Sequence, residues 1–347
     1  MADDSDSTFQ RKKEHIQLCL TDKVNFREKT NGFDHYDFEH YAITEVEKDK
    51  IDFTTSFLKK RINYPFLISC MTGGTSEAED INARLAAAAN ELNIPMGIGS
   101  QRQALENNDN LNSYRTIRKE APNIPLLGNI GASQVVKINN FDRVQYLIDL
   151  IEADGLVVHL NAAQELIQPN GEPNFFGLLK KLEKMVKKVS VPLIAKEVGA
   201  GISKRVAEKL LEAGIKGIDV AGAGGTSWTA VEILRSKEEA DNPFWDWGLP
   251  TSYCLKEVSK LKREHKFILI GSGGINTPFD AAKAFALGAD ITASARVILQ
   301  ELDKNGVDGI KSMIISWFEA IRKIMFLTGS NKINELRTKI ILKEKLF

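Results

Sequence analysis

Short apolar segments alternate with amphipathic segments through the middle of the chain. Apolar runs of strand length predict eight buried strands: Phe66–Met71, Pro95–Ile98, Leu126–Ile130, Leu156–Leu160, Leu193–Glu197, Gly217–Val220, Phe267–Gly271 and Asp290–Ala293. Stretches of helical period lie between most of them: Ala78–Leu92, Val144–Ala153, Phe176–Lys188, Lys204–Ala213, Ser252–Glu264 and Phe279–Leu287. Eight strand–helix units over about 250 residues match a TIM (β/α)8 barrel in number and size.

The fold class is therefore predicted to be α/β, and a closed barrel is favoured over a doubly wound sheet. A doubly wound sheet usually carries one glycine-rich fingerprint near its first strand, whereas here glycine-rich or polar signatures follow nearly every strand. Residues 1–60 are polar and predict an N-terminal extension that packs over the barrel mouth. Residues 61–347 comprise the barrel and, from residue 297, a C-terminal helical region.

Composition and charge argue against several classes of protein. Lys+Arg and Asp+Glu both number 46 in a chain of 347 residues, so a general affinity for nucleic acid or for membrane surfaces is not expected. No stretch is apolar enough to span a bilayer, and the acidic N-terminus is not a signal peptide. Cys19, Cys70 and Cys254 lack metal or disulfide spacing, which favours a cytoplasmic protein.

The run from His159 to Glu165 places an imidazole, two amides and a carboxylate at the end of a predicted strand. Active sites of TIM barrels lie at these strand ends, and amides with an acid suit a polar substrate or a hard cation. A capped turn with Asn161 as N-cap explains the same residues equally well.

Other strand ends carry charged residues with competing explanations. Arg102 suits a bidentate anion contact, or a surface ion pair. Lys196 ends an apolar strand, where it can pair with Glu197 or, as we favour, hold the anionic edge of a cofactor. Glu232 lies one helical turn after Trp228 and is either an acid/base or an exposed helix carboxylate.

The last two strand ends predict a phosphate site. Gly271–Pro278 is glycine-rich and Ser294–Arg296 contains an arginine. Loops after strands 7 and 8 often bind phosphate in TIM barrels, so this pairing is a specific signal. Met71–Thr75 is a further glycine turn, for which an ordinary turn is the simpler explanation.

The ordered motifs resemble a known family. They are Arg11-Lys12-Lys13-x-His15, Met71-Thr72-Gly73-Gly74, Gly99-Ser100-Gln101-Arg102, His159-Leu160-Asn161-x-x-Gln164-Glu165, Lys196-Glu197-Val198-Gly199, Gly224-Gly225-Thr226-Ser227-Trp228 and Gly273-Gly274-Ile275. Together they are similar to the type 2 isopentenyl-diphosphate isomerases, which are FMN-dependent TIM-barrel enzymes. The resemblance extends from Arg11 to Arg296.

The resemblance implies roles for individual residues. FMN would contact Cys70, Met71, Thr72, Gly73, Ser100, Asn129, Lys196 and Thr226, with its phosphate at Gly273, Gly274, Ile275, Ala295 and Arg296. The substrate would contact Arg11, Lys12, His15, Ser100, Gln101, Arg102, His159, Asn161 and Gln164. Glu165 would bind Mg²⁺, and Gln164 with Glu232 would assist catalysis. Ala221 and Asn276 depart from the serine and arginine often found in the family, so one hydroxyl near the flavin and one contact near its phosphate would be missing, without loss of binding.

The reaction implied is a 1,3-allylic proton shift that converts isopentenyl diphosphate to dimethylallyl diphosphate. The hydrocarbon tail has no group that can form hydrogen bonds, so the binding energy must come from the diphosphate. We hypothesise that N5 of reduced FMN acts as acid/base, with NADPH as flavin reductant. The resemblance also implies a homo-oligomer, a tetramer or octamer.

Two other functional classes compete with this interpretation. FMN barrels that oxidise 2-hydroxy acids use a histidine and an arginine after strand 6, and Gly222–Trp228 contains neither. Inosine-monophosphate-type dehydrogenases need a cysteine there, which is also lacking. A non-catalytic phospholigand-binding barrel is disfavoured by the clustering of Gln164, Glu165 and Glu232.

Overall fold

The computed structural model describes residues 2–106, 110–236 and 241–345, with side chains from residue 10 to residue 344. Its strands are β1 (Tyr36–Phe38), β2 (Thr55–Phe57), β3 (Lys60–Ile62), β4 (Phe66–Ile68), β5 (Met96–Gly97), β6 (Leu126–Gly131), β7 (Gly155–Leu160), β8 (Leu193–Glu197), β9 (Gly217–Asp219), β10 (Ile268–Gly271), β11 (Ile291–Ser294) and β12 (Ile340–Leu342). Strands β4 to β11 close into a parallel barrel in chain order. The predicted TIM barrel is confirmed, and closure excludes the doubly wound sheet.

The helices surround this barrel. They are α1 (Ala2–Cys19), α2 (Ser76–Leu92), α3 (Arg102–Glu106), α4 (Asn112–Glu120), α5 (Ala132–Lys137), α6 (Asp142–Leu150), α7 (Ala162–Ile167), α8 (Leu178–Val186), α9 (Lys204–Glu212), α10 (Trp228–Ser236), α11 (Thr251–Ser259), α12 (Pro278–Ala286) and α13 (Arg296–Leu327). Gly306 interrupts α13 with φ 71°, so this element is two helices joined at a kink. Among the described helices, none is both long and apolar enough to cross a membrane.

A hairpin closes the end of the barrel where the strands begin. Strands β2 and β3 pair antiparallel, and their side chains Phe57 and Ile62 are fully buried. They pack against apolar side chains inside the barrel: Leu67, Leu127, Val157, Ile194, Ile270, Ile291 and Ala293. The prediction that residues 1–60 cover the mouth is therefore wrong for this hairpin, whose apolar pair requires the dry interior at the opposite end.

Polar side chains follow this apolar layer toward the mouth. Because successive strand residues alternate between faces, the residues two positions further along also point inward. On four strands they are Asn129, His159, Lys196 and Ser272, and these residues are called the polar floor below. Because every second strand residue faces inward, polar side chains that can contact a ligand lie directly above the packed core.

The C-terminal segment pairs with a strand of the N-terminal extension. Strand β12 pairs antiparallel with β1, with Tyr36 opposite Leu342. The sequence predicts a C-terminal helical region that ends in a basic tail, residues 339–347, and β12 lies in that tail. The run Ile340–Leu342 is β-branched and aliphatic, and it forms a strand once β1 supplies hydrogen-bonding partners.

Candidate functional site

One cavity of about 280 Å³ lies at the carboxyl ends of the barrel strands, beneath α1. It brings together all but two of the residues to which the sequence assigns a catalytic, substrate-binding, cofactor-binding or metal-binding role. Its lining includes Arg11, Lys12, His15, Cys70, Met71, Thr72, Gly73, Ser100, Arg102, Asn129, His159, Asn161, Gln164, Glu165, Lys196, Thr226, Gly273, Gly274, Ile275, Ala295 and Arg296. Residues from nearly the whole length of the chain therefore share one small-molecule site.

Gln101 is the first exception, and its predicted contact with substrate is wrong. The side chain is fully buried outside the cavity lining. Its Nε2 donates to the carbonyl of Leu147 at 2.9 Å, and its Oε1 accepts from the amide of Asn129 at 3.0 Å. Both polar ends are thus satisfied between β6 and α6, where Gln101 supports the backbone of the polar floor.

Glu232 is the second exception, because it lies behind the cavity wall. It is fully buried and accepts from His15 Nε2 at 2.9 Å and Gln164 Nε2 at 2.8 Å, while Arg235 donates to its other oxygen. Burial raises the pKa of Glu232, but the bonds from His15 and Gln164 and the charge of Arg235 lower it below its usual value. Glu232 is therefore ionised and anchors two cavity residues without facing the cavity, and it is not the exposed helix carboxylate that the sequence allowed.

The same ion network holds α1 over the mouth. Arg235 donates to Glu14 at 2.9 Å, and the ring of His15 meets Trp228 edge-on with centroids 5.1 Å apart. Trp228 also lines the cavity and gives it an aromatic wall. Contacts with α10 thus hold α1 in a position from which Arg11 and Lys12 reach the cavity.

Three cations of the lining crowd one another. Burial and the charge of Arg102 lower the pKa of Arg11, and burial together with Arg11 lowers the pKa of Lys12 to about 8. The Nε of Arg102 donates to Glu106, and its Nη2 lies 3.6 Å from Glu172. Like charges held close in a buried site are costly, and an anionic ligand would relieve that cost.

The polar floor fixes the charge state of His159. Asn129 donates through Nδ2 to the carbonyl of Ile98 at 3.0 Å, so its Oδ1 accepts from His159 Nδ1 at 2.8 Å. Burial and the charge of Lys196 lower the pKa of His159 to about 4. The ring is therefore neutral and offers an Nε2 lone pair to the cavity, and its contact with substrate stays a prediction.

Lys196 extends into the cavity without pairing with the Glu197 carboxylate. Its Nζ donates to the carbonyl of Glu197 at 2.6 Å. The carboxylate instead accepts backbone amides of the next turn, at 2.6 Å from Val198 and 2.8 Å from Gly199. The lysine lines the cavity, and its contact with the anionic edge of a cofactor stays a prediction.

The loops after β10 and β11 form a cradle suited to a phosphate group. Gly273 and Gly274 have φ of 95° and 70°, and a Cβ on Gly274 would come 2.5 Å from the carbonyl of Gly224. Arg296 lies beside them, and its buried Nη1 has no hydrogen-bond partner. A buried guanidinium nitrogen without a partner, next to open backbone turns, fits the phosphate of a bound FMN.

A hard cation also fits beside Glu165. This buried carboxylate accepts from Asn161 Nδ2 at 3.0 Å and from the amide of Glu172 at 2.8 Å. The Oδ1 of Asn161 is buried without a partner. The described residues contain no group of three acidic, histidine or cysteine ligands, so water and ligand phosphate would complete the shell, as Mg²⁺ prefers.

Sequence reasoning missed several supporting residues. Asp219 lies under the polar floor with 1% of its surface exposed and accepts the hydroxyl of Ser272 at 2.5 Å. An acid inside an apolar strand was the available signal, because such a residue requires partners. Cys19 and Gln134 also line the cavity, and no sequence pattern marked them.

Comparisons with known sequences agree with this geometry. The sequence profile of the FMN-dependent dehydrogenases matches residues 7–111 and 153–343. An isopentenyl-diphosphate delta-isomerase of Pelodictyon phaeoclathratiforme is 44% identical, with 96% of this chain and 97% of that protein covered. An isopentenyl-diphosphate delta-isomerase of Nostoc sp. is 43% identical, with 96% and 95% covered.

Comparison with solved structures supports the fold. A flavocytochrome b2 variant with sulfite bound superposes with a TM-score of 0.69 at 19% identity, covering 94% of this chain and 82% of that one. A mandelate oxidase variant gives a TM-score of 0.61 at 13% identity, covering 93% of both chains. At these identities the likeness concerns the barrel alone.

Proposed function

We propose that this chain, which belongs to the isopentenyl-diphosphate delta-isomerase family and to the wider FMN-dependent dehydrogenases, converts isopentenyl diphosphate to dimethylallyl diphosphate. The observation that carries the proposal is the convergence of Arg11, Lys12 and Arg102 on a cavity that also has an aromatic wall and a phosphate cradle. Anion binding at one end and apolar contact at another suit a prenyl diphosphate. The relatives named above, at 43–44% identity over nearly full length, support the same substrate.

The diphosphate would be held by the α1 cations together with Arg102. Burial strengthens each charge-assisted contact, because a low local dielectric weakens screening. Asn161 would add its amide, and Ser100 its hydroxyl, since both line the cavity. This binding energy holds a hydrocarbon tail that cannot be recognised by hydrogen bonds.

Gln164 and Trp228 would act at the alkene. Because Gln164 donates Nε2 to Glu232, its Oε1 is directed away from that carboxylate, 3.4 Å from Asn161 Nδ2. An amide oxygen held in one orientation can orient a proton or stabilise developing positive charge. The Trp228 face excludes water and favours a cation-like reacting carbon.

The cofactors belong to this proposal. FMN, once reduced by NADPH, would supply acid–base chemistry at the alkene when bound and would not be oxidised by the net reaction. Lys196, Asn129 and Thr226 would hold its ring system, and Arg296 its phosphate. Glu165 would hold Mg²⁺ against the diphosphate. We further propose a cytoplasmic homo-oligomer, a tetramer or octamer.

The test is product formation under anaerobic conditions. The holoenzyme is incubated with isopentenyl diphosphate, FMN, NADPH and Mg²⁺, and dimethylallyl diphosphate is quantified by mass spectrometry after chromatographic separation. Apoprotein assayed without FMN, or holoenzyme assayed without Mg²⁺, should form no product. Gln164→Ala should lower kcat by about 10²–10³, on the scale of losing one preorganised polar group in a dry site. Absence of isomerisation by wild-type protein with bound, reduced flavin would overturn the proposal.

Oxidation of 2-hydroxy acids is the competing activity, because the structural neighbours include enzymes of that class. The loop from Gly222 to Trp228 has no histidine or arginine to take the substrate proton or hold its carboxylate. We therefore expect no flavin reduction when lactate or mandelate is mixed with the oxidised holoenzyme. Stopped-flow absorbance at the flavin band measures this directly.

A further inference from the structure

Asp219 is a buried acid that the proposed mechanism does not use. It is the last residue of β9, in register with Lys196 on β8 and Ile270 on β10, so it points toward the barrel interior. It is 1% exposed and does not line the cavity. Yet it interacts with three residues that do: Ser272, Ala221 and Lys196.

The contact with Ser272 fixes the direction of a hydroxyl group. Ser272 donates its O–H to Asp219 Oδ1 at 2.5 Å. A serine hydroxyl has one proton, so Ser272 can only accept from a ligand above it. The floor at this point therefore requires an N–H or O–H donor.

The second interaction of Asp219 is with the backbone at the strand end. The backbone amide of Ala221, two residues along the chain, lies close enough to Asp219 to lower the pKa of its carboxyl group. Ala221 has φ 35°, in the left-handed region that side chains other than glycine disfavour. Asp219 therefore faces the amide of a residue whose backbone is in an unusual conformation.

Lys196 gives the third interaction, through charge. Its ammonium group acts on Asp219 from the next strand and opposes the rise in the pKa of Asp219 that burial causes. The other nearby acid, Glu197, is occupied by backbone amides. Lys196 thus has two buried acids near it, Glu197 and Asp219, and Asp219 is the one in register with it on the adjacent strand.

We propose that Asp219 is a positioning residue for the polar floor. It keeps the Ser272 hydroxyl as a hydrogen-bond acceptor next to the cation of Lys196. This pattern recognises a planar ring edge that carries an N–H next to an electron-rich oxygen or nitrogen. The inference rests on the proposed function, since the edge of a flavin ring has this chemistry. It adds that a residue outside the cavity sets the relative affinity for oxidised and reduced FMN.

The test compares FMN binding by Asp219→Asn, Ser272→Ala and wild type, with full-length protein. Dissociation constants are measured by fluorescence for oxidised FMN and anaerobically for reduced FMN. Reduced flavin carries negative charge, so removing the Asp219 charge should lower the ratio Kd(reduced)/Kd(oxidised) about tenfold. Ser272→Ala should raise both constants by a similar factor and leave the ratio unchanged.

Asp154→Asn is the matched control. Asp154 is a partly buried acid at the opposite end of the barrel, bonded to Lys60 at 2.8 Å and Arg118 at 3.0 Å. Its loss should lower the Tm without altering either FMN constant. A purely structural role for Asp219 would weaken both flavin forms equally.

An unchanged ratio in folded Asp219→Asn overturns the inference, while FMN binding by wild type leaves the proposed function standing. If Asp219→Asn does not fold, the inference is tested with Ser272→Ala instead. Unaltered FMN affinity in that variant would refute the acceptor role of Ser272 and, with it, the inference. Failure of wild type to bind FMN would instead overturn the proposed function and, with it, this inference.

Discussion

The low pKa of Lys12 predicts that diphosphate binding is linked to a proton. Burial and the neighbouring charge of Arg11 lower this pKa from 10.5 to about 8. The Lys12 Nζ already donates to the carbonyl of Gly73 and to Gln103 at 3.4 Å, so the amine is held at the cavity wall. A bound diphosphate adds negative charge beside it and should return its pKa toward the usual value.

The size of the effect follows from this pKa. A lysine with a pKa of about 8 is roughly 90% protonated at pH 7 and roughly 10% protonated at pH 9. If the bound anion requires the ammonium form, affinity is greatest below pH 8 and falls as pH rises through that value. The expected loss between pH 7 and pH 9 is about tenfold, or about 1.4 kcal/mol.

The assay is calorimetric titration of the holoenzyme with inorganic pyrophosphate at pH 7, 8 and 9. Each titration is repeated in two buffers of different ionisation enthalpy, which counts the protons taken up on binding. Lys12→Arg is the matched control, because a guanidinium stays charged throughout this range. Subtracting the Lys12→Arg profile removes the titration of pyrophosphate and of other groups in the site.

We expect wild type to take up about one more proton than Lys12→Arg at pH 9. Lys12→Gln should bind more weakly at pH 7 and match the control in its pH dependence. If wild type and Lys12→Arg lost affinity in parallel from pH 7 to pH 9, Lys12 would not be the linked group and the argument would be refuted.

Three further predictions concern single residues. Glu165→Gln should sharply raise the Mg²⁺ concentration needed for half-maximal activity while leaving the FMN Kd unchanged, as fluorescence titration would show. Arg296→Ala should raise the FMN Kd by about 10–100-fold, since one charge-assisted bond is worth about 1.5–3 kcal/mol, whereas binding of riboflavin, which has no phosphate, should not change. Glu232→Gln should lower kcat, and it should lower stability in urea by about 1–3 kcal/mol because Arg235 and His15 lose their buried anion.

The fold was predictable because its signals are local and repeated. Apolar runs with polar ends recur along the chain, and each run becomes a barrel strand. The hairpin was not recognised because Thr55–Phe57 and Lys60–Ile62 are too short to show a period. Its packing depends on a barrel interior formed by residues far along the chain, which no local pattern reveals.

Cavity residues were predicted better than the residues behind them. Motifs at strand ends point to the mouth because of the barrel topology, and nearly all of these residues do line the cavity. Gln101 follows Ser100 in such a motif, but its side chain turns away to bond Leu147 and Asn129. Alternation at a strand end is not strict, so a sequence motif cannot assign each side chain to one face.

The position of the acids explains how so cationic a cavity remains stable. Among the described lining residues, Glu165 is the one carboxylate, against five lysines and arginines. Glu232 and Asp219 lie one layer behind, where they bind His15 and Ser272 and balance neighbouring cations. Carboxylates in the lining would repel two phosphate-bearing ligands, whereas carboxylates behind it hold the same side chains without meeting the phosphates. Replacing either buried acid should therefore disturb geometry and proton placement before it changes the affinity for inorganic pyrophosphate.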